Sequence, residues 1–171
     1  MKSASYLFGI MLLITVLGCK ENDSDVPAAD PVIANSTLML PTMRLYAADG
    51  SVLSLSDFAG KKVFVNLWAT WCPPCRAEIP SIEALKTTVD TSKVSFIMLS
   101  LDENFELAKT FASENSMTAS IYAPADNLPS LFRTEGIPAT FIFNERGELI
   151  RQQLGAADYN TPEYRALLGS R

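Results

Sequence analysis

Cys72-Pro73-Pro74-Cys75 places two thiols on either side of two residues, directly after an apolar run and directly before a helical one. That spacing suits dithiol–disulfide exchange. One thiol stands at an exposed helix start, and the other lies about a turn inside. Cys72 as the attacking thiolate would be stabilised by the positive end of the helix dipole and by amides pointing at it, and Cys75 would resolve the mixed disulfide. A purely structural role explains the pair poorly, because a bridge over two residues closes almost no loop. Both intervening residues are Pro, so two helix-start donors are missing. Stabilisation then falls to the Cys75 amide, the dipole and Arg76, which predicts a thiolate held less firmly than in strong oxidants and hence a reductant.

The rest of the composition narrows the chemistry. The 171 residues contain no His, which removes imidazole bases and His-containing metal sites. A zinc site wants four ligands, and the cysteines are too few to supply them. Fourteen Lys and Arg against 19 Asp and Glu give a net charge of −5 with no basic cluster, so nucleic acid is not an expected partner. The third cysteine, Cys19, follows a basic residue (Lys2) and an apolar run from Tyr6 to Leu17, the pattern of a secretory signal. Val16-Leu17-Gly18-Cys19 resembles the lipobox of bacterial lipoproteins, in which the Cys is lipidated and becomes the first residue of the mature chain. Residues 1–18 are therefore expected to be a signal peptide, 19–37 a polar, acidic tether, and 38–171 the folded domain.

The elements that must position the dithiol follow from periodicity. Thr42 to Ala47 and Ser51 to Leu55 should pair as a hairpin across Asp49-Gly50, followed by a short helical turn closed by Gly60. Val63 to Ala69 reads as a central parallel strand covered on both faces. The helix after the cysteines repeats Ile79, Ile82, Leu85 and Val89 at spacings of three and four, with Pro80 expected to kink it. Val94 to Leu101 is a second buried strand. Asp102 is expected to cap the next helix, whose Phe105, Ala108, Phe111 and Ala112 share a face. Ile121 to Ala123 reads as a short edge strand and Asn127 to Arg133 as a short helix. Ala139 to Phe143 and Glu148 to Leu154 read as a hairpin, and Thr161 to Leu168 as a last helix.

The stretch from Lys61 to Pro80, with Trp68, Trp71, both cysteines and Pro80 in place, resembles the active-site segment of the thioredoxin superfamily. Gly136-Ile137-Pro138-Ala139-Thr140 resembles that family's cis-proline loop. The resemblance implies a cis Ile137-Pro138 bond beside the dithiol. It also implies contact of substrate with Trp71, Pro73, Pro74, Ile137 and Pro138, although Trp68 reads rather as packing and Trp71 could equally serve packing. The N-terminal hairpin, the segment between Met117 and Arg133, and Glu78 look like the branch of anchored reductases typified by the cytochrome c maturation proteins. Asn66 stands where thioredoxin carries a buried Asp and cannot exchange a proton near neutral pH. Glu78 is then the carboxylate that could assist Cys75, with its pKa raised by burial; the alternative is an ordinary solvated helix-start acid.

These readings predict an α/β, three-layer thioredoxin fold with a central mixed sheet, an N-terminal hairpin extension and an inserted strand-helix element. The expected function is a monomeric, extracytoplasmic, membrane-anchored lipoprotein facing the periplasm that reduces protein disulfides. No cofactor or metal is implied. The resemblance implies protein disulfides as substrates, apocytochrome c among them, and a thiol-type membrane electron donor. Two competitors stand beside this. A thiol peroxidase of the same fold would want Pro and Thr or Ser where Val65 and Ala69 stand, and a binding lipoprotein would carry the dithiol as a vestige.

Overall fold

The computed structural model describes residues 38–169. The expected signal peptide, Cys19 and the tether lie outside the described residues. Seven strands form one sheet: β1 (Arg44–Ala47), β2 (Val52–Ser54), β3 (Lys62–Trp68), β4 (Val94–Ser100), β5 (Ser120–Pro124), β6 (Ala139–Phe143) and β7 (Leu149–Leu154), in the order β2-β1-β5-β4-β3-β6-β7. Among the described residues three helices accompany the sheet: α1 (Pro73–Thr88), α2 (Phe105–Glu114) and α3 (Pro162–Leu168). β3, β4 and β5 run parallel, and every other pairing is antiparallel. The sheet is mixed, as expected.

Alternation along β3 divides the core. Phe64 and Trp68 point to one face and Val63, Val65 and Leu67 to the other, as the two-residue strand period requires. On the first face lie α1, α2 and α3, through Ile79, Ile82, Leu85, Ala108, Tyr164 and Leu168. The two crossovers from β3 to β4 and from β4 to β5 step in one direction across the sheet. Right-handed connection therefore puts α1 and α2 on the same side. The second face is covered by two 3-10 turns, Leu55–Phe58 and Ser130–Phe132, which bring Leu55, Phe58 and Phe132 onto Val65, Phe141 and Phe143. Each fully buried Leu, Ile or Phe contributes about 1.5–3 kcal/mol, so the two faces share the stabilisation.

Several expectations need correction. The strand at Ile121 to Ala123 is interior, because the N-terminal hairpin adds β1 to its outer side, pairing Tyr46 with Ala123. The helix expected at Asn127 to Arg133 is only the Ser130–Phe132 turn, entered from Pro129, whose ring excludes it from a helix interior. Asp102 does not cap α2. That place is taken by Asn104, whose side chain accepts from the Glu106 amide at 3.0 Å, while Asp102 is held by Thr70 and Ser100. α1 continues as one helix past Pro80, where the ring leaves the ladder one amide short.

Candidate active site

The dithiol sits where β3 ends. Cys72 is the N-cap of α1, and Pro73 and Pro74 occupy its first two positions, where a missing amide costs no helical hydrogen bond. The next residue with a free amide is Cys75, and its N–H donates to Cys72 Sγ at 3.3 Å. The amide expected to face the Cys72 sulfur does so in the disulfide form. The Arg76 amide donates to the Cys72 carbonyl at 3.1 Å, and the Arg76 side chain is exposed. Cys72 and Cys75 are joined in a disulfide. Cys72 is 4% exposed and Cys75 is fully buried. The helix start is thus less open at sulfur than its position in sequence suggests, and what access there is belongs to Cys72.

Around this opening the expected contact residues divide. Trp71 is 65% exposed, and Pro73 and Pro74 are exposed beside it. Trp68 is wholly buried and packs against Phe111, so its role is structural. The Ile137-Pro138 bond is cis, and the Ile137 carbonyl oxygen lies 3.8 Å from Cys72 Sγ. Pro138 is buried, and its own carbonyl accepts from the Gly155 amide at 2.9 Å, which ties the loop to the end of β7. Antiparallel pairing of β6 with β3, with Ala139 opposite Leu67, delivers this loop to the end of the strand that leads to Cys72.

About one helical turn along α1 from Cys75 lies a polar cluster that sequence reasoning found only in part. Glu78 is 3% exposed, which excludes its reading as a solvated helix residue. Its Oε1 accepts from Asn66 Nδ2 at 2.7 Å and its Oε2 from the Ala157 amide at 3.1 Å. Burial pushes the Glu78 carboxyl up to about 7, against the opposing effect of those two donors. Asn66 Nδ2 also donates to Thr140 Oγ1 at 2.9 Å, and the Tyr159 hydroxyl donates to the same oxygen at 2.6 Å. Burial, reinforced by the nearby Glu78 charge, raises the Tyr159 pKa. Asn66 Oδ1 is buried with no hydrogen-bond partner among the described residues. Thr140, Ala157 and Tyr159 carry no local signal for this role. They reach Glu78 and Asn66 only through the β3–β6 register and the return of the chain over α1.

A second buried carboxylate steadies the approach to the dithiol. Asp102 accepts from the Thr70 amide at 3.1 and 3.2 Å, from Thr70 Oγ1 at 2.6 Å and from Ser100 Oγ at 2.8 Å. Three donors outcompete the single amide a helix cap offers, which explains why Asn104 caps α2 instead. The link fixes Thr70, two residues before Cys72, to the end of β4.

The chain matches the family model described as Redoxin over residues 33–168. It is 30% identical over 144 residues to the thioredoxin-like protein YneN of Bacillus subtilis, covering 83% of this chain and 85% of that one. It is 33% identical over 104 residues to the thiol-disulfide oxidoreductase ResA of Oceanobacillus iheyensis, covering 59% of this chain and 53% of that one. Among solved structures it is similar to a putative thiol:disulfide interchange protein DsbE from Chlorobium tepidum. The TM-score there is 0.65 at 24% identity, over 77% of this chain and 91% of that one, a likeness of fold. With the Redoxin match, these relatives in sequence and a Cys72–Cys75 disulfide at the start of α1, the chain belongs to the redoxin family, as a thiol-disulfide oxidoreductase.

Proposed function

We propose that this protein is a reductase of protein disulfides working outside the cytoplasm, anchored by a lipid on Cys19. The observation that carries the redox direction is the pair Pro73-Pro74, which leaves one amide, that of Cys75, to hold the Cys72 thiolate. A thiolate with few donors makes the reduced form less stable and the dithiol a better electron donor. In the forward reaction the Cys72 thiolate attacks one sulfur of a substrate disulfide, and the other substrate sulfur leaves as a thiolate and takes a proton. The Cys75 thiol gives its proton to Glu78, whose carboxyl, poised near 7, suits a base at neutral pH. The Cys75 thiolate then attacks Cys72 Sγ, releasing the second substrate thiolate and leaving the enzyme disulfide. Two electrons have passed to the substrate, and a thiol-type donor must return them.

Residues 1–18 as signal peptide, 19–37 as tether and 38–171 as the catalytic domain complete the proposal. Trp71, Pro73, Pro74, Ile137 and Pro138 form the surface that meets the substrate. The resemblance to the cytochrome c maturation branch supports apocytochrome c as a substrate and the periplasm as the working compartment. The test is reduction of insulin by catalytic amounts of the protein with dithiothreitol as donor, together with the reduction potential. Catalysis with a potential below that of the protein disulfides of its compartment supports the proposal. A potential above them would make it an oxidant. Cys19→Ser should move the protein from the membrane to the soluble fraction of the producing cell, and membrane retention would remove the lipid anchor.

A further inference from the structure

Three concavities adjoin along the end of the sheet that carries the dithiol. The first, about 720 Å³, includes Pro138 and Leu154. The second, about 590 Å³, includes Trp71, Phe132 and Leu128 and shares Arg133, Gly136 and Ile137 with the first. The third, about 540 Å³, includes Tyr46 and Pro124 and shares Leu101 and Leu128 with the second. Neighbouring concavities share lining residues, so the three lie in a row, here called the trough. Ile137 lines both the first and the second, and its carbonyl oxygen lies 3.8 Å from Cys72 Sγ, which sets this part of the row beside the dithiol, although Cys72 itself lines none of the three.

Two features of this trough point to its occupant. Each concavity holds one large apolar side chain left in water, namely Leu154 at 59%, Trp71 at 65% and Tyr46 at 47% exposure. Apolar surface spaced along a channel is satisfied by a chain that brings side chains to several points, rather than by a compact small molecule. The second feature is Arg133, in the wall common to the first two concavities. Its Nε donates to the Leu128 carbonyl at 2.8 Å, which holds the guanidinium in place, yet none of the ion pairs among the described residues includes it. Glu135 lines the first concavity and Glu103 the third without pairing with it. A fixed, unneutralised cation in a partly apolar channel selects a carboxylate.

Resting on the reductase reading above, we infer that Arg133 is a specificity-determining residue, placing an acidic side chain of the substrate polypeptide in the part of the trough beside the disulfide cysteine. Specificity then lies in the residues flanking the cysteine, read by Tyr46, Trp71, Leu154 and Arg133.

The test measures second-order rate constants for oxidation of the fully reduced protein, followed by Trp fluorescence at low ionic strength. The probes are bis(2-hydroxyethyl) disulfide and two twelve-residue peptides, each carrying one mixed disulfide at its centre and apolar residues on both sides. The peptides differ in having Glu or Lys at the positions flanking the cysteine. The Glu peptide is expected to react faster than the Lys peptide by about 5-fold, the upper range for one partly exposed ion pair. Arg133→Glu is expected to reverse that order, and Tyr46→Ser to lower the ratio of either peptide to the small disulfide by several-fold. Both side chains are exposed, and a melting curve checks the fold of each variant. Equal peptide rates, a charge preference that survives Arg133→Glu, or peptides no faster than the small disulfide would overturn the inference while leaving the reductase intact. Failure with all three probes would remove the reductase reading and this inference together.

Discussion

Replacing Glu78 by Gln removes a carboxyl that the fold holds in its neutral form up to about pH 7. Raising it from the ordinary 4.5 corresponds to about 3 kcal/mol, since each tenfold change in proton affinity is worth about 1.4 kcal/mol. The sign follows from proton binding. Between pH 4.5 and 7 the folded state binds a proton that the unfolded state has released, so stability falls as pH rises. The stabilisation is complete below 4.5, is lost through the interval to about 7, and does not change further above it. Gln keeps the shape and does not titrate. Its amide nitrogen would meet Asn66, which can rotate to offer Oδ1, the atom now without a hydrogen-bond partner among the described residues. Rotation strands the Asn66 amino group instead, at a cost of about 1–3 kcal/mol that does not vary with pH. Urea unfolding of the oxidised proteins from pH 4.5 to 8.5 isolates the effect, because all other carboxyls cancel in the difference. The wild type should lose about 3 kcal/mol relative to Glu78→Gln across that range. Exchange by the variant should slow by ~10- to 100-fold and lose the rise in rate near pH 7. Asn66→Asp in the Glu78→Gln background should recover part of that rate. A stability difference constant within about 0.5 kcal/mol, or an unchanged pH–rate profile, would refute the assignment of Glu78 as a buried base.

The other expectations concern the cysteines and the turn that leads to them. Cys75→Ser should accumulate mixed disulfides with substrate and Cys72→Ser almost none, by non-reducing mass spectrometry; equal trapping would defeat the assigned roles. Pro74→Ala returns an amide to the first turn of α1 near Cys72 Sγ. If that amide binds the thiolate at about 1.5 kcal/mol, the reduction potential should rise by about 30 mV against glutathione, and an unchanged or lower potential would sever redox poise from the Pro-Pro pair. Asp102→Ala should cost about 2–4 kcal/mol in urea unfolding, because the Thr70 amide and hydroxyl and the Ser100 hydroxyl all lose their acceptor. A loss under about 0.5 kcal/mol would mean that water replaces the carboxylate freely.

Much of the frame was legible because its signals are local. The run from Val63 to Trp68 is apolar at every position but Asn66, as expected of a strand covered on both faces. Asp49-Gly50 announced the β1–β2 hairpin because Gly50 takes a positive φ of 87°. The cis bond at Pro138 followed from resemblance and stands in the structure. The misread elements have a common cause. Tyr122 looks like an edge residue until β1 arrives from more than seventy positions away, and Asp102 looks like a cap until Thr70 supplies better donors.

By itself, then, the sequence determined the reactive unit: two thiols at a strand-to-helix junction with two prolines between them, all of it within one turn of helix. The alternation of strands and helices followed from periodicities along each element, and the thioredoxin fold from the resemblance carried by Lys61 to Pro80 and Gly136 to Thr140. Only the tertiary structure decided the state of the groups around that unit. Glu78 meets Asn66 across 12 positions and Ala157 across 79. The sharing of Thr140 between Asn66 and Tyr159 is set by the register of β6 against β3. A carboxyl's proton affinity depends on how much water the surrounding chain removes and which donors replace it, and those are properties of packing in space.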